Sequence, residues 1–154
     1  MQIRFDGQTV VVAGAARGIG RAIARAFAAE GGNVIACDRL VGEIEPAERL
    51  KPMAVDVTDP RSIDAVVAAA GGRVDVLAYV AGGILGQVPK PLEQVTPEEF
   101  AGIVDVNLKG CFLFAKAVAP GMKKAGGGRI VTISSRAGLA TSLTGIQAYA
   151  SAKH

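Results

Sequence analysis

The chain has 154 residues and a formal net charge of +3, is half hydrophobic with only 5% aromatic residues, and has a mean hydropathy of +0.35. A chain of this length hides roughly 68–70% of its unfolded surface, which suits one compact domain over residues 1–154 and leaves no room for a second full one. Its cations, among them Arg17, Arg21, Arg25, Arg39, Arg49, Lys90 and Lys109, stand singly, so no basic block invites nucleic acid. The most apolar long window, Ile103 to Met122, is broken by Asp105, Asn107, Lys109 and Lys116 and makes no membrane span. Met1 to Gly7 has no apolar run of the kind that directs secretion. Cys37 and Cys111 lack metal-ligand spacing, which predicts no metal site and fits reduced, buried thiols in a cytoplasmic protein.

Short apolar runs alternate with stretches of helical period, the pattern of parallel strands joined by helical crossovers. Strands are expected at Thr9 to Ala13, Asn33 to Cys37, Pro52 to Val55, Val74 to Val80 and Arg129 to Ser134, each rich in Val or Ile without polar alternation, as strands covered on both faces are. Between the first two, Ile19, Ile23, Ala26 and Phe27 share one face of a helix from Gly18 to Glu30, which Gly31-Gly32 ends. Asp59 caps a helix with Pro60 at its first position, reaching Ala70. Thr96-Pro97-Glu98-Glu99 opens the longest helix in the same manner, running to Ala125 before Gly126-Gly127-Gly128. The weakly periodic stretch from Arg39 to Lys51 predicts a compressed second crossover.

The first strand runs into Ala13-Gly14-Ala15-Ala16-Arg17-Gly18-Ile19-Gly20 and then a helix, the context that a pyrophosphate site requires. Gly14 permits the tight turn, Gly18 lets the backbone approach the phosphates, and Gly20 lets the helix pack on the sheet, while the helix N-terminus offers unpaired N–H groups to an anion. Asp38 ends the second strand twenty residues beyond Gly18, the spacing at which a carboxylate meets the ribose hydroxyls of a dinucleotide. A carboxylate there would repel a 2′-phosphate, favouring NAD over NADP, although Arg17 or Arg39 could neutralise that phosphate. As a purely structural alternative, Asp38 caps the strand end.

Tyr149 and Lys153 lie four apart and share one face of a helix, so the ammonium would favour the phenolate and suit the tyrosine to general acid–base work. Ser135 ends the fifth strand, where ligands meet open α/β sheets, and could donate to a substrate oxygen. In order, Gly14-xxx-Gly18-x-Gly20, Asp38, Asp56-Val57, Ala81-Gly82, Asn107, Ser134-Ser135 and Tyr149-xxx-Lys153 resemble the short-chain dehydrogenase/reductase family in its ordinary, non-extended branch, over essentially the whole chain. The resemblance implies a Rossmann-like doubly wound parallel sheet of order 3-2-1-4-5. It also implies hydride transfer between NAD(H) and a secondary alcohol or ketone. Tyr149 would be the acid/base, Lys153 would lower its pKa and hold the nicotinamide ribose, Ser135 would orient the substrate, and Asn107 would position a relay water. Asp56 would contact adenine, with Val57, Ile19, Arg17, Ala81 and Gly82 beside the cofactor. Structural readings stand beside these: Asn107 as a helix irregularity, Asp56 as a turn former, Ser135 as a strand-end hydroxyl.

Several departures from the family pattern are visible. Ala13 replaces a usual Thr, Tyr79-Val80-Ala81-Gly82 replaces Asn-Asn-Ala-Gly, and Ser135 and Tyr149 stand fourteen apart, one more than is commonest. The chain stops one residue after Lys153, which predicts a truncated form with its C-terminal strands missing, a frayed catalytic helix and an exposed fifth strand. Leu139, Thr141, Leu143, Ile146 and Gln147, with Ile84 and Leu85, suggest a partly apolar substrate pocket. By resemblance, the helix after Thr96 and the helix at Tyr149 would form a homodimer or homotetramer interface in the full-length form. The competing function is a catalytically incompetent nucleotide-binding or interaction fragment; an epimerase or lyase holding NAD tightly is a third.

Overall fold

The computed structural model describes residues 3–139 and 145–154. Five parallel strands, β1 (Thr9–Ala13), β2 (Asn33–Asp38), β3 (Leu50–Ala54), β4 (Val76–Tyr79) and β5 (Arg129–Thr132), form one sheet in the order β3-β2-β1-β4-β5. Helices α1 (Gly18–Ala29), α2 (Pro60–Ala69), α3 (Pro97–Val104), α4 (Gly110–Lys124) and α5 (Gln147–Lys153) accompany it. The doubly wound order expected from the sequence is the order observed. Reversal of direction on either side of β1 opens a crevice at the carboxyl ends of β1 and β4, where open α/β sheets take their ligands.

β1 is central, and Val10, Val11, Val12 and Ala13 are fully buried. Alternate residues feed two cores: Val11 and Ala13 pack with Ile63, Val66, Phe114 and Val118, whereas Val10 and Val12 pack with Ala24, Val34 and Ala36. Each buried Val contributes about 1.5–3 kcal/mol relative to leaving it exposed. The side-chain caps expected at Asp59 and Thr96 are present. Asp59 accepts from the Arg61 N–H, and Thr96 and Glu99 exchange the reciprocal bonds of a capping box.

Several boundaries differ from those expected, among them the start of β4, at Val76 rather than Val74. β3 begins at Leu50 rather than Pro52, because Leu50 pairs with Val34 and an edge strand tolerates the missing N–H of Pro52. β4 closes at Tyr79, since the N–H groups of both Val80 and Ala81 turn onto the Ala13 carbonyl. β5 ends at Thr132, ahead of the turn begun by Ser135. The single long helix expected from Pro97 to Ala125 is interrupted by a π-helical turn, Asp105–Lys109, between α3 and α4. The Arg39–Lys51 crossover is compressed, as its weak period suggests, into one 3-10 turn, Val41–Glu43, and a short bridge between Ala47 and Leu50.

The exposed fifth strand is also observed: all of β5 is solvent-facing, with Val131 51% exposed. The helix that carries Tyr149 is tied to the turn that follows β5. Ala148 and Ala152 are buried, Ser134 Oγ donates to the Lys153 carbonyl (2.6 Å), and the His154 ring nitrogen lies 2.6 Å from the Gly138 carbonyl oxygen. A side chain on Gly138 would collide with the Lys153 main chain, so this glycine lets the turn after β5 seat directly on α5.

Candidate active site

The glycine turn is built by backbone geometry. Gly14 has φ +88°, and a Cβ there would sit 2.5 Å from the Ala81 nitrogen, so the turn at the end of β1 approaches the end of β4 more closely than a side chain allows. A Cβ on Gly20 would strike the Gly14 carbonyl oxygen, which explains why α1 can begin directly beneath the turn. Gly18 differs from both: at φ +50° it faces open space. At Ala13, which lacks the usual hydroxyl, main-chain bonds hold the turn, with Gly14 and Ala15 N–H donating to the Cys37 carbonyl and Val80 and Ala81 N–H to that of Ala13.

A cavity of about 530 Å³ opens from this turn. Gly14, Arg17, Gly18, Ile19 and Gly20 line its floor, and Asp38, with Arg39 and Leu40, forms one end. Asp56 and Val57 stand on the side wall, and Ala81 and Gly82, with Val80 and Val106, close the other end. The cofactor-binding candidates outside α5 therefore share one crevice with Asp38 and Gly82; Lys153 lies beside Gly82, and Tyr149 lies on α5 next to Lys153. Among the further lining residues, Leu85 is a non-glycine residue at positive φ (51°), immediately before Gly86; nothing in its sequence context signalled this conformation.

Asp38 Oδ2 accepts from the Ala16 N–H (3.1 Å) and Oδ1 from the Leu40 N–H (3.0 Å). A carboxylate has about four acceptor sites, so two remain for ligand hydroxyls. Asp56 Oδ1 accepts from the Thr58 N–H (2.9 Å) and hydroxyl (2.7 Å), which hold its carboxyl below the usual range. Asp56 is thus a turn former that also faces the cavity.

Beyond Gly82 the second group of candidates converges. Asn107 is buried inside the π-helical turn; its Nδ2 donates to the carbonyls of Gly83 and Ile103, and its Oδ1 accepts from the Gly83 N–H, all at 2.9 Å. Helix irregularity and inward-facing amide are therefore one feature. Lys153 Nζ donates to the Ile133 carbonyl (2.8 Å) and lies 5.9 Å from the Tyr149 ring centroid, so the two share a face of α5. Burial lowers the Lys153 pKa below the ordinary lysine value. A Cβ on Gly82 would meet both the Asn107 amide and the Lys153 ammonium, which places these two side chains at the same end of the crevice. Ser135 Oγ accepts from the Ala137 N–H (3.2 Å), capping the 3-10 turn Arg136–Gly138 that packs on α5. Of the pocket residues suggested by the sequence, Thr141 and Leu143 lie outside the described residues.

Tyr79 is a residue whose role the sequence did not disclose. It fills the place of the first amide of the usual Asn-Asn-Ala-Gly. Its ring packs on Phe114 (centroids 5.9 Å apart), and its hydroxyl donates to the Val106 carbonyl (2.5 Å). Burial pushes its pKa up, keeping the phenol protonated as a donor. Gly110 is small at this point because a side chain there would strike the Tyr79 hydroxyl. The amide brace is replaced by a phenol that ties β4 to the π-helical turn.

Residues 8–154 match the family model for short chain dehydrogenases. The chain belongs to the short-chain dehydrogenase family. Among its curated relatives, D-threitol dehydrogenase of Mycolicibacterium smegmatis is 37% identical over 87% of this chain and 55% of its own length. The 3-oxoacyl-acyl-carrier-protein reductase FabG of Escherichia coli is 38% identical over 98% of this chain and 64% of its own. A solved 7α-hydroxysteroid dehydrogenase, complexed with NADH and a 7-oxo bile acid conjugate, superposes with a TM-score of 0.86 at 31% identity, covering 99% of this chain and 62% of that one. This short-chain dehydrogenase chain thus spans little more than half to two thirds of the length of the relatives it matches. Among its described residues, no helix is long and apolar enough to cross a membrane.

Proposed function

We propose that this chain is the dinucleotide-binding and catalytic part of an oxidoreductase that moves a hydride between NAD(H) and a secondary alcohol or ketone. The observation that carries the reading is the single crevice with Asp38 at one end and, past Gly82 at the other, Lys153 and Asn107. The residues present fit a dinucleotide: Gly18 leaves open space before the first N–H groups of α1, where an anion is favoured, and Asp38 keeps acceptor capacity for ribose hydroxyls. Asp38 favours NAD over NADP because a 2′-phosphate beside it meets like charge. Asp56 and Val57 would flank the adenine, and Ala81 and Gly82 would border the nicotinamide half.

In alcohol oxidation, bound NAD supplies the acceptor for the hydride leaving the carbinol carbon. Tyr149 takes the hydroxyl proton, with the Lys153 ammonium on the same face of α5. Ser135 has its acceptor side engaged by the Ala137 N–H, which leaves its hydroxyl proton to donate to the substrate oxygen. Asn107 has spent both amide hydrogens on backbone carbonyls, so its contribution to a relay is to hold Gly83 and offer the remaining Oδ1 lone pair to a water.

The polyol dehydrogenases among its relatives support a polyhydroxylated alcohol as substrate, and the keto-group reductase supports the reverse direction. Exposed Phe100, Leu108 and Phe112 on the long helix support self-association through that face, and the two free cysteines support a cytoplasmic setting. Turnover of NAD with a panel of polyols and simple secondary alcohols tests the reading. The expected outcome is NADH formation that falls at least about 100-fold in Tyr149→Phe, the scale of a lost general acid–base group. A second reading is a nucleotide-binding chain without turnover; NAD binding with no NADH formed from any alcohol would establish it.

A further inference from the structure

Resting on that cofactor reading, we infer that Glu43 is a specificity determinant that disarms Arg17 and so enforces the choice of NAD over NADP. Four arginines stand near the glycine turn: Arg17 and Arg39 line the crevice together with Asp38 and could answer a 2′-phosphate if their guanidinium groups were available, and Arg21 and Arg25 lie on α1 beside Glu43 and Glu45. Three are engaged. Arg17 forms a two-pronged ion pair with Glu43 through Nε and Nη2, Arg21 donates to the Ala16 carbonyl, and Arg25 pairs with Glu45 (2.7 Å). Of these four, only Arg39 has no hydrogen-bonded partner for its side chain among the described residues, and it lies close enough to Asp56 to help lower that carboxyl.

Arg17 matters most, because it lines the floor of the crevice from the loop between Gly14 and Gly18, while Asp38 stands at the end of the same space. Glu43 itself does not line the crevice. It reaches Arg17 from the 3-10 turn Val41–Glu43, which the compressed crossover sets just beyond β2. The fork of an arginine matches a carboxylate or a phosphate equally well, so Glu43 competes directly for the geometry that a 2′-phosphate would use. An NADP molecule would therefore face the Asp38 carboxylate with one of its two nearest cations already neutralised. The pair is accessible, with side chains 68% and 38% exposed, so the restraint is modest and reversible.

Titration of NAD and NADP into the chain and its Glu43→Gln variant reads this directly. Glutamine keeps the size and removes the charge. The expected result is unchanged NAD affinity, within twofold, with NADP bound about 2–5-fold more tightly, the scale of one exposed ion pair. Arg17→Ala in the Glu43→Gln background should erase the gain. Glu45→Gln, which removes an equal charge beside Arg25 without releasing Arg17, should produce no gain. Unchanged NADP affinity in Glu43→Gln with NAD binding intact, or an equal gain in Glu45→Gln, overturns the role of Glu43 and leaves the NAD reading standing. Absence of binding by either dinucleotide to any of these proteins overturns both.

Discussion

Gly14, Gly18 and Gly20 look alike in sequence and do different work. Gly20 is required by packing, since its Cβ would enter the Gly14 carbonyl, whereas Gly18 faces open space at positive φ. Gly20→Ala is therefore expected to destabilise the chain by about 1–3 kcal/mol through overpacking. Gly18→Ala should cost only about 1 kcal/mol of backbone strain yet weaken NAD at least 10-fold by placing a methyl where the phosphates approach. Denaturant melts and binding titrations of the two variants separate fold from function; equal loss of stability in both would contradict the assignment. Asp38 was legible because a strand end and a fixed spacing from Gly18 identify it. Tyr79 and Glu43 were not, because their partners lie 27 and 26 residues away and no local pattern connects them. Val80 reads the same way: it lost an amide by comparison with the family pattern, and in the fold it packs against the α1 side of the sheet.

Elements were legible wherever local chemistry decides them. The buried valines of β1, the Asp59 cap and the Thr96–Glu99 capping box all act within a few residues. The π-helical turn was legible only as the structural reading of Asn107, since the apolar pattern through Val104, Leu108 and Phe112 fits an uninterrupted helix; tertiary partners hold the irregularity, with Tyr79 taking the Val106 carbonyl and Gly83 holding the Asn107 amide. The start of β4 depends on a charge. Asp75 Oδ2 accepts from the Thr9 N–H (2.8 Å), and Asp75 Oδ1 pairs with Arg73. Burial pushes the Asp75 carboxyl up, but the Thr9 N–H and Arg73 outweigh it and leave it below its ordinary value. A carboxyl whose folded pKa is depressed stabilises above its unfolded pKa, and that contribution is lost as pH falls through the folded value. Stability should thus be level near neutrality and decline below about pH 4. Asp75→Asn should lower stability at pH 7 by ~1 kcal/mol and flatten part of that acid limb in urea melts from pH 3 to 7. An unchanged limb would remove Asp75 from the account.

At the scale of the whole chain, parallel strands joined by crossovers give the sheet order, and β1 at the switch point puts the crevice where the segments after β1, β2, β3 and β4 meet. At the β5 edge all four strand residues are exposed among the described residues, and α5 seats on the turn that follows β5 through Ser134, Gly138 and Lys153. α5, although only seven residues long, brings Lys153 beside Gly82 with Tyr149 on the same helix face. The central claim is that the crevice from Asp38 to Gly82 holds NAD. Isothermal calorimetry of NAD against the 154-residue chain tests it most directly: the account predicts saturable one-to-one binding that is weakened at least tenfold by Gly18→Ala, and a titration with no heat of binding in a folded wild-type chain would contradict it.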